Sequence, residues 1–353
     1  MRKKANKLTF LIAGTCACLF AAGLFTQPEA AAKGISDGLL LCVNVIIPSL
    51  FPFVALAAFL NKSGLTDIIG KVLSPFTRLL FHMPGATACT ILMGLIGGYP
   101  VGGKMIAGLY EEEKITAKQA HWLFFYCVNP GPAFAISAIG IAVLGNRKLG
   151  IILFASLAIS SLLIGILTGL LNRKSPLSPT CVVRKEKTGL IDAYVCSVAD
   201  ASASMYSVCA WVVVFSCIIA LLGTLNLSEQ TQSLLTCILE CSRGCTALSG
   251  QNLPLIAAVL GWGGISVQCQ ILPYVLKTGM KPLHFMAGRL LHALTAYGIA
   301  QLLMILFPQP IQVFSNSVQA MPVFSSVSVP ATVGLIVMSG LLILDIDRKE
   351  KIC

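Results

Sequence analysis

Apolar runs of helix-spanning length alternate with short polar stretches along nearly the whole chain. Residues 8–25 form the first run, behind a basic flank of Arg2, Lys3, Lys4 and Lys7. Small residues near Glu29–Ala32 leave a cleaved signal peptide open, and a retained first helix suits the long remainder equally well. Residues 38–60 form the second run; Pro48 and Pro52 each remove a backbone hydrogen bond and must kink or break it. Residues 64–81 are less apolar and carry Asp67, Lys71 and Arg78, the pattern of an amphipathic helix at a membrane surface. Further runs follow at 86–109, 119–144 and 149–171. Beyond a polar stretch at 172–190 come runs at 203–223, 253–276, 283–307 and 331–347, with a short amphipathic segment at 230–249. A span needs about 20 apolar residues, so the pattern predicts an all-α, polytopic membrane protein.

Composition agrees. The chain has 353 residues, 56% hydrophobic and 11% charged, against about 25% charged in a soluble domain. The net charge of +11 does not mark a nucleic-acid binder, because the basic residues cluster beside apolar runs. They sit at the N-terminus, at Arg173, Lys174, Arg184, Lys185 and Lys187, and at Arg348, Lys349 and Lys351. That is the positive-inside pattern. Most of the fourteen cysteines, among them Cys16, Cys18, Cys42, Cys89, Cys209 and Cys217, sit in apolar runs and read as small hydrophobes. Cys237, Cys241 and Cys245 share one helix face, but a metal site there lacks a fourth ligand. No metal or other cofactor is expected.

Two runs contain helix breakers. Residues 94–110 read GLIGGYPVGGKMIAGLY, and 126–134 read YCVNPGPAF. Five full spans in the first half would place the basic 172–187 stretch outside, so one broken segment is expected to be re-entrant, or 64–81 to cross or dip. Irregular backbone at membrane depth survives only where it is buried in protein or lines a polar cavity. GWGGISVQCQ in the second half echoes the first break. Laying Gly97 on Gly261 puts Lys104 on Gln268 and Tyr110 on Tyr274. The order of elements, amphipathic segment, broken span, turn and span, matches better than residue identity, and paired interrupted segments are common in transporters. The expected organisation is an N-terminal membrane helix (1–34), a first repeat (35–171), a basic cytoplasmic linker (172–200), a second repeat (201–307), and a loop with a C-terminal helix (308–353).

A broken helix exposes backbone N–H groups and a partial positive charge at its new N-terminus, which suits an anion. Gly97, Gly98, Tyr99 and Pro100 form the first break, and Lys104 follows one turn later. Lys104 either meets a ligand or snorkels to the interface; the glycines either turn the chain or serve close packing. Asn129, Gln268 (with Ser266) and Arg289 complete the candidate substrate-binding set. Arg289 binds an anion, pairs internally or anchors at the inner surface. Asp192 and Asp200 are expected to cap a span. His121, His284 and His292 form no metal pattern. No nucleotide-binding, zinc-protease or serine-hydrolase motif occurs, so no enzyme is expected. Carboxylates suited to a proton relay are scarce within the runs.

The segments IIPSLFPF (46–53), GLIGGYPVGGKMIAGLYEEEKIT (94–116) and FFYCVNPGPAF (124–134) resemble the sporulation integral membrane proteins of the YlbJ type. These are grouped with the nucleoside recognition, or gate, domains. The resemblance covers roughly residues 35–300. It implies a multi-pass protein of the mother-cell-derived outer forespore membrane that moves a small organic anion, dipicolinate. It leaves open a nucleoside or other small-solute carrier, or a non-transporting assembly factor. The implied partners are the solute, the lipid bilayer, and either a second copy or a second transporter in the facing membrane, with no nucleic acid.

Overall fold

A computed structural model describes residues 7–173, 189–250 and 252–308. Among them all regular structure is helical. The expected last span, 331–347, lies outside the described residues.

Helix α1 (Lys7–Thr26) leads into α2 (Pro28–Leu41), whose first position takes Pro28 without loss, since that N–H needs no partner. A π-turn at Cys42–Ile46 joins α2 to α3 (Ile47–Lys62). The two prolines do not divide this run: Pro28–Lys62 is one apolar rod. The π-turn just before Pro48 already interrupts the hydrogen-bond ladder, so the missing N–H falls where it costs least. Ser49 Oγ takes up the carbonyls of Val45 and Ile46 at 2.5 and 3.2 Å. Residue 34, the last of the expected N-terminal segment, lies inside α2.

Helix α4 (Leu65–Leu80) is amphipathic as expected. Its apolar stripe, Leu65, Ile68, Val72, Phe76 and Leu79, faces away from the protein, as a helix resting in the lipid interface requires. The chain then bends by 110° into the next segment. Helices α5 (Ala88–Ile96) and α6 (Tyr99–Glu111) follow, then α7 (Ala117–Tyr126), a π-helical segment (Ala133–Val143) and α8 (Arg147–Leu171). Thr116 and Gln119 close a capping box on α7, and Asn146 caps α8.

Helix α9 (Leu190–Leu222) starts well before the expected span at 203, so residues 190–200 are helix and not linker. At 33 residues it is about 50 Å long, and it runs antiparallel to the α2–α3 rod. Gly34 and Gly38 allow this contact: a Cβ at Gly34 would stand 2.6 Å from the Ala220 Cβ, and one at Gly38 would stand 2.9 Å from the Ser216 Cβ. The chain continues through α10 (Glu229–Leu239), α11 (Cys241–Ala247), α12 (Leu253–Trp262), α13 (Gly264–Lys277) and α14 (Pro282–Leu306). Five rods are long and apolar enough to cross a bilayer: Pro28–Lys62, Arg147–Leu171, Leu190–Leu222, Leu253–Lys277 and Pro282–Leu306. The main core joins α7, the π-helical segment, α8 and α12–α14.

Candidate functional site at the helix breaks

The 86–109 run is not a straight span. Helices α5 and α6 fold back on each other about Gly97–Gly98: a Cβ at Gly102 would lie 3.3 Å from the Gly94 Cα. Gly98 turns the chain with φ +85°, a conformation that side chains resist. Both arms press on the interruption after α7. A Cβ at Gly94 or Gly102 would lie 2.4 or 1.9 Å from the Cys127 carbonyl oxygen. At the tip, a Cβ at Gly131 would lie 2.6 Å from the Ile96 oxygen and 3.2 Å from the Gly98 nitrogen.

The second half builds the same contact from different residues. Helices α10 and α11 fold back at Glu240, which is extended (φ −142°, ψ 122°). A Cβ at Gly244 would lie 2.8 Å from the Cys237 Cα. This tip rests on the break between α12 and α13, at Gly263 (φ +81°) and Gly264 (φ +72°). A Cβ at Gly264 would lie 2.9 Å from the Cys241 nitrogen and 3.0 Å from the Leu239 oxygen. Gly264 thus stands to the second hairpin as Gly131 stands to the first. The expected pairing of Gly97 with Gly261 is different, because it joins a hairpin tip to an interrupted span.

Between the breaks lies a narrow cleft of about 30 Å³. Its polar wall includes Gly97, Gly98, Glu240, Ser242 and Gln270, and its apolar wall includes Tyr99, Pro130 and Val267. Four helical segments begin beside it: α6, the π-helical segment, α11 and α13. Helix starts carry partial positive charge; the first N–H groups of α11 are already taken by the Glu240 side chain. The segments that end at the same level, α7 and α12 above all, bring carbonyls and partial negative charge.

Four of the expected ligand residues answer those carbonyls. Arg289 is 1% exposed, and its guanidinium donates to the carbonyls of Val128 and Gly261, spanning both breaks. It also stands over the Tyr99 ring, 5.8 Å from the centroid. Tyr99 donates its hydroxyl to the Leu260 carbonyl (2.6 Å). Asn129 Nδ2 donates to Tyr126 (2.7 Å), and Gln268 Nε2 to Trp262 (3.4 Å). Each answers a carbonyl at a break, where an unpaired acceptor is costly; the Tyr126 carbonyl also accepts from Ser161 Oγ. The Oδ1 of Asn129, the Oε1 of Gln268 and the Oγ of Ser266 are buried without a protein partner.

Lys104 lies elsewhere. It points from α6 toward α9, pairing with Asp200 at 3.3 Å, and Lys62 shares that carboxylate at 3.2 Å. Asp200 therefore caps no helix: it sits inside α9, because that helix begins earlier than the apolar run shows. His292 is buried with Nε2 3.2 Å from the Leu157 carbonyl, and His121 Nε2 is 3.1 Å from the Thr278 carbonyl. No group of three His, Cys, Asp or Glu is placed to hold a metal among the described residues. Of the expected set, Gly97, Gly98, Tyr99 and Pro100 line the cleft.

Glu240 and Gln270 line it too and were not anticipated. Glu240 is 0% exposed, with Oε2 accepting from the Arg243 N–H at 2.7 Å. The available signal was a single carboxylate between Cys237, Cys241 and Cys245, on the face that packs inward.

Hairpins that fold back against interrupted apolar rods define the class: the chain is an integral membrane protein, part of which is similar to a gate domain. Residues 43–171 match the family model described as Gate, nucleoside recognition. The chain is also similar to the sporulation integral membrane protein YlbJ of Bacillus subtilis (strain 168). The two are 25% identical over 344 aligned positions, covering 84% of this chain and 83% of the relative. No solved structure matches.

Proposed function

We propose that this protein is a transporter that moves a small organic anion, dipicolinate, across the outer forespore membrane during sporulation. The observation that carries this reading is the convergence of four helix starts on a cleft between two hairpin tips. Anions bind helix N-termini through N–H groups and the dipole. Arg289 strengthens the effect indirectly, because it neutralises the carbonyl ends of the preceding segments. Tyr99 supplies an aromatic wall for a planar ring. The sporulation role comes from the similarity to YlbJ.

We further read the two halves as an inverted duplication. Ser160 on α8 touches Thr295 on α14, and His292 on α14 meets Leu157 on α8; each pair is 135 residues apart. Self-matching contacts of this kind arise where two equivalent elements cross at a two-fold axis. The hairpins also enter from opposite ends. The end of α6 is tied to the end of α13 through Glu111–Lys277 (2.7 Å), and α6 meets the early part of α9 through Lys104–Asp200. The α10–α11 hairpin follows the far end of α9. With the basic 173–187 stretch inside, the first hairpin enters from the cytoplasm and the second from the other side. Alternating access in such folds follows from rocking one repeat against the other.

A nucleoside or similar hydroxylated solute is the second reading. It is favoured by Glu240 and Gln270 in the wall, by the absence of Lys or Arg from the cleft lining, and by the family description. Purified protein in sealed vesicles decides between them. Uptake of labelled dipicolinate that unlabelled dipicolinate, but not nucleoside, competes away supports the first. Uptake of nucleoside alone supports the second, and uptake of neither leaves an assembly role.

A further inference from the structure

Glu240 is a buried carboxylate that no salt bridge reaches among the described residues; it caps α11 by accepting from the Arg243 N–H, and Ser242 also donates to it. Its nearest cation, Arg243, turns its guanidinium to Asp37 of α2 at 3.3 Å. No Lys, Arg or His pairs with Glu240 among the described residues. The groups around its oxygens are donors: the Arg243 N–H and the Cys241 thiol, whose sulfur is 3.7 Å from Oε1. The other titratable groups in its field are Tyr99 from α6, Cys42 from the π-turn, and Cys245 on its own helix. None of them is a cation at neutral pH. A charge buried in such a place is costly and is held here only by hydrogen bonds and a helix start, and intramembrane carboxylates mark ion and proton pathways.

We infer that Glu240, at the tip of the second hairpin and in the wall of the cleft, carries the proton that is coupled to solute movement. A metal cation would need several oxygen ligands, and donors stand in their place. A proton needs only the carboxylate.

The inference rests on the anion reading of the cleft and gives it a direction. An ionised Glu240 would repel a dianion held in the same cleft; protonated, it does not. Solute binding and proton binding therefore help each other, as linkage requires. The two travel together: one proton is taken up at Glu240 on the side where the solute binds and released where the solute leaves. Gly264 keeps the tip in place, since a Cβ there would lie 3.1 Å from the Glu240 Cα.

The test uses the full chain in vesicles, with labelled dipicolinate, an internal pH dye and an imposed pH gradient. Wild type is expected to accumulate dipicolinate when the outside is more acidic, with acidification of the lumen. Glu240→Gln is expected to lose gradient-driven accumulation and the dependence of uptake on the imposed pH gradient. Glu240→Asp, which can still be protonated, should restore part of it. Accumulation by Glu240→Gln equal to wild type overturns the proposal while leaving the transporter intact. If wild type moves no dipicolinate, the substrate reading fails, and a second readout decides the proton site. A hydrophobic carbodiimide attacks protonated carboxyls, and the added mass should appear on the peptide carrying Glu240 and decline as pH rises. No labelling at any pH overturns the assignment.

Discussion

The guanidinium of Arg289 on α14 donates to the carbonyl of Val128, 161 residues away, and the same group holds Gly261. One side chain thus closes the ends of two broken helices in different halves of the chain. Arg289→Met should leave both carbonyls buried and unpaired, at about 1–3 kcal/mol each. Arg289→Lys should recover little, because an ammonium cannot present the planar fork that reaches two acceptors. Thermal unfolding in detergent measures the loss. If either variant keeps wild-type stability and loses only solute affinity, Arg289 is a ligand and not a clamp.

The glycines of the first hairpin separate into those that are compressed and those that are free. Gly102→Ala would force a methyl to 1.9 Å from the Cys127 oxygen. The backbone cannot yield without unseating the hairpin, so a cost of about 3 kcal/mol or more is expected, beyond ordinary overpacking. Gly98→Ala has open space but a left-handed φ and should cost about 1–2 kcal/mol. Gly108 lies in the same helix with nothing within 4 Å. Gly108→Ala should be neutral or stabilising by roughly 0.5–1 kcal/mol. Yield and thermal midpoints of the three variants give the ranking, and a harmless Gly102→Ala would refute the hairpin contact.

Much of this architecture is legible in the apolar pattern, because long apolar runs have few alternatives to helix in a bilayer. The rods at 149–171, 253–276 and 283–307 all follow it. The break at 94–110 shows in its glycines and proline, but the pattern leaves open which broken segment folds back, since two short arms have the same apolar length as one span. Only the Gly94–Gly102 contact tells them apart. The sequence echo and the hairpin contacts pair different residues for a related reason. Gly-rich words recur at a hairpin tip in one half and at a span break in the other, while the structurally matching glycines, Gly131 and Gly264, sit in unlike surroundings. Glu240 was hidden by its segment: a short amphipathic stretch reads as surface, and the burial of its tip depends on α12 and α13. Polar residues stand at the breaks, but a carbonyl that needs a donor and a solute that needs one call for the same side chains.

Lys104 carries a different expectation. Its ion pair with Asp200 is half exposed, and Lys62 remains to hold the carboxylate. Lys104→Ala should cost no more than about 1 kcal/mol and leave solute affinity unchanged, since the side chain is outside the cleft wall. Asp200→Asn should be the more harmful change, because it leaves two lysines facing each other without a counter-charge. Concentration-dependent uptake in vesicles checks both, and a weaker apparent affinity in Lys104→Ala would return that lysine to the solute path.

Opposite entry of the two hairpins is the strongest geometric demand of the duplication. The loop after α6 (residues 112–116) and the loop after α9 (residues 223–228) should lie on opposite faces. The argument runs through two ion pairs and one length. Glu111–Lys277 and Lys104–Asp200 place the end of α6, the end of α13 and the early part of α9 together. Helix α9 then carries the chain about 50 Å away before the second hairpin begins. A short epitope inserted after Glu113 should be reached by antibody only in opened protoplasts. The same epitope inserted after Leu225 should be reached in intact ones. Glu113 and Leu225, the insertion points, are exposed, so the insertions should be tolerated. Accessibility of both epitopes from one face would place the two hairpins on the same side and remove the inverted arrangement, whatever the solute proves to be.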